Sequence, residues 1–297
     1  MEENPMYVFA VLSDPELPLD LTEDRYNQVT HREYPYVRNG SDGKPKHYAL
    51  CPECQNPIQL VNRSVPSTES VTLYAKHIKV SLPDLADYDQ AAYDDCQLAN
   101  PHRLDAKTRR KSGKKTNKIK EVFTKYIDLV VNYAESITGI KFSAPIIDKM
   151  ISDFCKSKGY EYRAVSEHNI PLAFLYMTEA KSLYGCNVSK VIADEINKNS
   201  KSFEAFKFSN GNRFGTKRKP GIFQSELKFF FSGHTIPKNE EDISEHAWLY
   251  IVETNKGELP ENAPIIVRKK IALSTAKFSN DINRRMRLHQ MAKSYLE

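Results

Sequence analysis

The run from His47 to Cys96 constrains this chain more than any other stretch. It opens His47-Tyr48-Ala49-Leu50-Cys51-Pro52-Glu53-Cys54, continues through Tyr74-Ala75-Lys76-His77 and closes at Asp95-Cys96, with Pro101-His102 shortly after. Three of the five cysteines and two of the eight histidines fall within it. Thiolate sulphur and imidazole nitrogen suit a tetrahedral zinc ion, and a Cys-x-x-Cys turn can offer two sulphurs to one metal. The spacing predicts one closed site, with Cys51 and Cys54 as the first pair, His77 third and Cys96 fourth. His102 is the substitute for either of the last two.

Other uses of these residues exist. A redox Cys-x-x-Cys opens a helix after a strand, but Asn56-Pro57 follows Cys54 at once and disfavours a helix there. Buried thiols beside unrelated histidines are the plain alternative. If only Cys51, Cys54 and His77 bound the ion, an open position would remain for catalysis.

The Cys51–Cys54 knuckle, the apolar Ile58-Gln59-Leu60-Val61 and the Tyr74-Ala75-Lys76-His77 element follow one another in an order that resembles the N-terminal zinc module of CoiA-like competence proteins and related bacterial zinc-ribbon proteins. The resemblance covers about fifty of the 297 residues and departs from the family in placing Lys76 between Ala75 and His77. It implies a zinc ribbon coupled to a nuclease domain, acting on DNA.

Charge is the second constraint. From Arg103 to Lys120 there are nine Lys or Arg residues against one acid, Asp105, so this segment alone carries more positive charge than the whole chain's net +5. With almost no apolar content it reads as a flexible basic linker that neutralises phosphates, and Arg109, Arg110, Lys111, Lys114, Lys115 and Lys118 are the candidate nucleic-acid contacts. A solvated, solubilising linker is the plainer use. No amphipathic anchor or lipidation motif points to a membrane, and no apolar run is long enough to span one. The acidic start, Met1-Glu2-Glu3-Asn4, and the odd cysteine count speak for a reducing cytoplasm rather than secretion.

The remaining pattern predicts an α+β protein: a zinc-ribbon-like region over 1–102, a basic linker over 103–118, a helical region over 119–200 and a β-rich region over 201–297 that ends in a helix. Residues 6–13 read as a buried strand and 14–46 as loops with short extended pieces. Tyr34, Tyr36 and Arg38 could stack bases or pack over the zinc module. The acids from Asp84 to Asp95 read as a solvated face or a second metal site. Apolar spacing predicts helices over 119–136, 144–158, 170–183 and 188–199, with the last pair open to a helix-turn-helix or a plain bundle. Strands are expected at 222–231, 247–253 and 264–273, with Phe229-Phe230-Phe231 filling a sheet core. A C-terminal helix over 280–296 should turn Ile282, Met286 and Leu296 inward.

Catalytic cues are sparse. Glu226-Leu227-Lys228 on a predicted strand could be a nuclease Glu-x-Lys pair, the carboxylate holding Mg²⁺ and the lysine steadying the attacked phosphate, with Glu204 or Asp153 as a second acid. No Gly-rich phosphate loop, dinucleotide fingerprint, nucleophile elbow or His-Glu-x-x-His is present. Three functions stay open: a nucleic-acid-binding protein with structural zinc, a Mg²⁺-dependent nuclease, or a zinc-stapled adaptor for a protein partner.

Overall fold

The computed structural model describes residues 6–65, 70–104, 108–110, 113–209, 213–236 and 245–296. They divide into two compact units, one running to His102 and taking in the C-terminal helix, the other spanning the described residues from Arg103 to Leu273.

The first unit is mostly antiparallel sheet. Its strands are β1 (Val8–Val11), β2 (Asp14–Asp20), β3 (Val37–Asn39), β4 (Pro45–Leu50), β5 (Pro57–Val65) and β6 (Ser70–His77), with helices α1 (Glu23–Thr30) and α2 (Gln90–Asp94). Strand order is β2-β1-β4-β5-β6, with β3 also on β4. Met6, just before β1, exchanges both backbone hydrogen bonds with Ala75 on β6, so the sheet curls until β6 reaches the start of β1. The stretch expected as loops with short extended pieces holds β2 and β3, and also the helix α1, which was not expected. Two prolines mask β2, but it is an edge strand, where a missing N–H is tolerated. The Thr22 hydroxyl caps α1 by accepting from Arg25 N–H at 3.2 Å, and Glu23 and Asp24 favour its positive end. Buried Tyr26 anchors that helix by donating to the carbonyls of Tyr36 and Tyr48.

The second unit begins where a tether was expected. Arg109 bridges to Tyr162, Arg163 N–H donates to Thr108 O, and helix α3 (Lys114–Lys125) starts inside the basic run. The segment therefore belongs to the fold, because the helical stripe of Thr116, Ile119 and Phe123 begins before its charges end. Residues 105–107 and 111–112, Lys111 among them, lie outside the described residues. The single helix expected over 119–136 is two, α3 and α4 (Ile127–Thr138), broken at Tyr126.

There follow β7 (Ile140–Lys141), α5 (Ala144–Lys156), a 3₁₀ turn at Gly159–Glu161, α6 (Ile170–Tyr176), β8 (Lys181–Ser182), β9 (Asn187–Val188) and α7 (Lys190–Asn199). Two extended pieces therefore separate α6 from α7, and the helix-turn-helix arrangement is not formed. Helix α6 is buried all round, as a core helix must be when Ile170 to Leu175 is almost wholly apolar. Phe154 of α5 is fully buried between Phe123, stacked at 4.5 Å, and Phe174, edge-on at 6.3 Å.

Two sheets complete the unit. One has the order β14-β13-β12-β8, with β12 (Ser225–Thr235), β13 (His246–Asn255) and β14 (Ile265–Ala272). The other has the order β10-β11-β9-β7, with β10 (Phe203–Lys207) and β11 (Phe214–Arg218). Strand alternation splits the three phenylalanines of β12. Phe229 and Phe231 point to the core, while Phe230 stacks on Tyr250 of β13 with centroids 5.2 Å apart. The last helix, α8 (Thr275–Leu296), starts earlier than expected and buries Ile282, but Met286 and Leu296 are 49% and 88% exposed rather than turned inward. Among the described residues no helix is long and apolar enough to cross a membrane.

Phe154→Ala should cost about 3–5 kcal/mol, because the aromatic cluster around a lost ring relaxes only in part. Urea unfolding followed by circular dichroism measures it.

Candidate metal centre and basic surface

The knuckle forms where β4 turns into β5. Gln55 N–H donates to Cys51 O at 2.8 Å and Cys51 N–H to Asn56 O at 2.9 Å, with Gln55 left-handed at φ 59°. That tight turn points both sulphurs to one side. His77 sits at the end of β6, directly across from Ile58 on β5. Cys96 arrives just after α2, whose N-terminus is capped by the Asp89 carboxylate accepting from Ala92 N–H.

Asn56 joins these separate pieces. It is buried, its amide nitrogen donates to Asp89 O at 2.9 Å, and its amide oxygen accepts from Asp89 N–H at 2.6 Å. The same nitrogen lies 3.5 Å from Cys54 Sγ. One side chain thus fixes the knuckle to the segment that delivers Cys96. Tyr93 of α2 packs edge-on against the His77 ring at 5.4 Å.

The four predicted ligand atoms converge, all within 4.8 Å of one another. Cys51 Sγ and Cys96 Sγ are 3.7 Å apart, Cys54 Sγ is 3.3 Å from His77 Nε2, and Cys96 Sγ is 3.8 Å from the same nitrogen. A tetrahedral ion with bonds of about 2.3 Å to sulphur and about 2.0 Å to nitrogen needs edges of about 3.8 and 3.5 Å. The cluster has the size of one such ion, and could hold it. His102 is not a member, and the acids between Asp84 and Asp95 form no second cluster of three or more ligands among the described residues.

The electrostatics agree. Burial pushes the Cys51 and Cys96 thiols up, while hydrogen bonds from Cys51 and Cys96 hold the Cys54 thiol far down. Unaided, the pocket favours a single thiolate. A divalent cation would let all three ionise, since metal-bound thiols are deprotonated outright.

The basic segment spends much of its charge internally. Arg110 is buried and donates to the carbonyls of Arg163 and Val165 at 3.1 and 2.8 Å. Lys115 and Lys118 reach the buried Glu167 carboxylate at 2.9 and 3.4 Å. Burial alone would raise the Glu167 carboxyl, but Lys115, His168 and Lys118 together hold it well below its ordinary 4.5. Arg109 pairs with Glu161 at 3.5 Å and lies over the Tyr162 ring. Lys114 and Lys120 are exposed, Lys120 over the Tyr160 ring, with exposed Lys156 and Lys158 flanking the same 3₁₀ turn. These last two cations were not singled out in the sequence, since only the packing of α3 against that turn brings them beside the segment.

Glu226 and Lys228 share a face of β12, 3.5 Å apart. Glu226 lines a cavity of about 520 Å³ with Ser182, Tyr184, Lys217 and Arg218, and is the one acid on its wall among the described residues. Of the acids expected to join it, Glu204 pairs with the cavity-lining Lys217 at 3.0 Å and Asp153 pairs with Lys181 at 2.6 Å. The arrangement offers Mg²⁺ one carboxylate already paired to a lysine. Tyr34 hydrogen-bonds Asp84 at 2.5 Å beneath Arg38, and the Tyr36 hydroxyl accepts from Leu12 N–H, so both tyrosines are tied into the first unit.

No protein-family model, curated protein or solved structure matches the chain.

Asn56→Ala should destabilise the protein by about 2–3 kcal/mol and weaken metal retention about 10- to 100-fold, read by competition with a chromogenic chelator. Glu167 contributes stability that is fully present above its ordinary 4.5 and lost as pH falls through its lower folded value. Glu167→Gln should therefore cost about 2–3 kcal/mol at neutral pH and flatten the loss of stability in acid, measured by denaturation at a series of pH values.

Proposed function

We propose that this chain is a zinc-containing nucleic-acid-binding protein. Zinc is structural, held by Cys51, Cys54, His77 and Cys96 on a zinc-ribbon-like knuckle, and the surface around α3 contacts phosphates. The observation that carries the reading is the convergence of three sulphurs and one imidazole at tetrahedral spacing. Three soft thiolates favour zinc over the hard, oxygen-seeking Mg²⁺ or Ca²⁺. Four protein ligands leave no open position for substrate, so the ion holds the fold instead of activating water. Thiol ligands of this kind persist in a reducing cytoplasm.

The nucleic-acid part rests on the cations left after internal pairing. Lys114, Lys120 and Lys156 are exposed, with Lys120 over the Tyr160 ring, Lys158 is exposed but lies 3.7 Å from the Glu161 carboxylate, and Lys111 belongs to the same basic run in sequence. Such a patch binds phosphates with little preference for sequence, and DNA is the partner we favour.

Purified protein should carry stoichiometric zinc by plasma mass spectrometry, and Cys54→Ser or Cys96→Ser should abolish it. A metal-free wild type that melts at the same temperature would end the assignment. DNA affinity should fall steeply with salt, and replacing Lys111 and Lys114 by Ala should reduce the log–log slope by about 1–2. A slope that stays put would remove the α3 surface from the interface.

A further inference from the structure

A second basic feature lies outside that surface, the β10–β11 hairpin. Between Phe203 and Lys219 the chain has five Lys or Arg residues against a single carboxylate, Glu204. The antiparallel register sorts the side chains onto two faces. Phe214, Val188 and Ile140 stand in one row across β11, β9 and β7, and the burial of Val188 and Ile140 marks this as the core side. The opposite face carries Phe206, Phe208, Arg213, Gly215 and Lys217, the last paired with Glu204 at 3.0 Å.

Two phenylalanines on that outward face are unusual. Phe206 and Phe208 are 36% and 39% exposed, and their rings meet edge to face at 5.0 Å. Gly215, across from Phe206, explains their posture. A Cβ there would stand 2.7 Å from Phe206 Cζ and 2.9 Å from Phe208 Cζ, so the missing side chain lets both rings lie down on the strand. Packing holds them in place before any ligand arrives. Lys217 Nζ sits 5.9 Å from the Phe206 ring centre. Among the described residues the exposed Arg213 guanidinium has no hydrogen-bond or ion-pair partner. Arg213 also lines an open groove of about 380 Å³ with Lys141, Asn187 and Ser189.

Fixed aromatic rings bordered by cations are the recognition chemistry for unpaired bases, which stack on the rings while the backbone follows the positive charge. Bases in a duplex already stack on one another and cannot use such a platform. We infer that this sheet face binds single-stranded nucleic acid, with bases on Phe206 and Phe208 and the backbone phosphate at Arg213. The inference rests on the nucleic-acid reading above but assigns a different surface and a different form of the strand.

The test is fluorescence anisotropy of the full chain with an oligothymidylate about 12 nucleotides long and with a blunt duplex of equal length. Phe206→Ala with Phe208→Ala should weaken single-strand binding at least about tenfold and leave duplex binding within about twofold. Gly215→Ala, which keeps both rings and every charge, should weaken it in the same direction. Phe206→Tyr with Phe208→Tyr should retain it, and Arg213→Glu should lower it, which keeps the test decisive if the alanine pair fails to fold. Duplex binding without single-strand binding, or single-strand binding indifferent to the rings, overturns this inference and leaves the proposed function standing. Loss of both forms in the wild type overturns both. Self-association abolished by the alanine pair would assign the face to a second copy and overturn the inference too.

Discussion

The first unit depends on bringing three distant pieces of chain to one point. Cys51 and Cys54 come from the turn between β4 and β5, His77 from the end of β6 and Cys96 from beyond α2. The β5–β6 pairing places His77 across from Ile58, and the Asn56–Asp89 clasp delivers the last cysteine. Cys51 and Cys96 also pack within the unit's apolar core, alongside Phe9, Tyr26 and Ile58. The ligands are therefore core residues as much as donors. A metal held there and the folding of this unit would draw on the same contacts, so one could not change without the other.

Charge density and charge availability part company in the second unit. The Arg103–Lys120 run is the most basic in the chain, yet the fold buries Arg110 against backbone carbonyls and turns Lys115 and Lys118 onto Glu167. A buried carboxylate is stable as an ion only with such company. The cations left facing solvent are joined by Lys156 and Lys158 from a later turn. The exposed cations are thus a composite of two segments.

Chemistry written in residue types was readable in advance. Sulphur and imidazole donors at knuckle spacing have few other uses, so Cys51, Cys54, His77 and Cys96 could be named as candidate ligands, with His102 standing as a substitute for either of the last two. The strands around Glu226, Tyr250 and Val267 showed through their alternation in the same way. Elements whose signal is faint blurred or escaped: β2, which carries two prolines on a sheet edge, showed only as a short extended piece, and α1, held by one cap and one buried tyrosine, was missed. Periodicity ran straight through the break at Tyr126, because two helices packing on one core share a stripe.

The sequence by itself determined the candidate donors, with His102 still open beside His77 and Cys96, the mixed α and β class and the place of the basic run, since each follows from side-chain chemistry or local period. Only tertiary structure decided that His77 and Cys96 reach the knuckle while His102 does not, which lysines are consumed by Glu167, and that Gly215 lies under two aromatic rings. Those outcomes depend on pairing between residues far apart in the chain. Such pairing is fixed by strand register and core packing, neither of which any short stretch encodes alone.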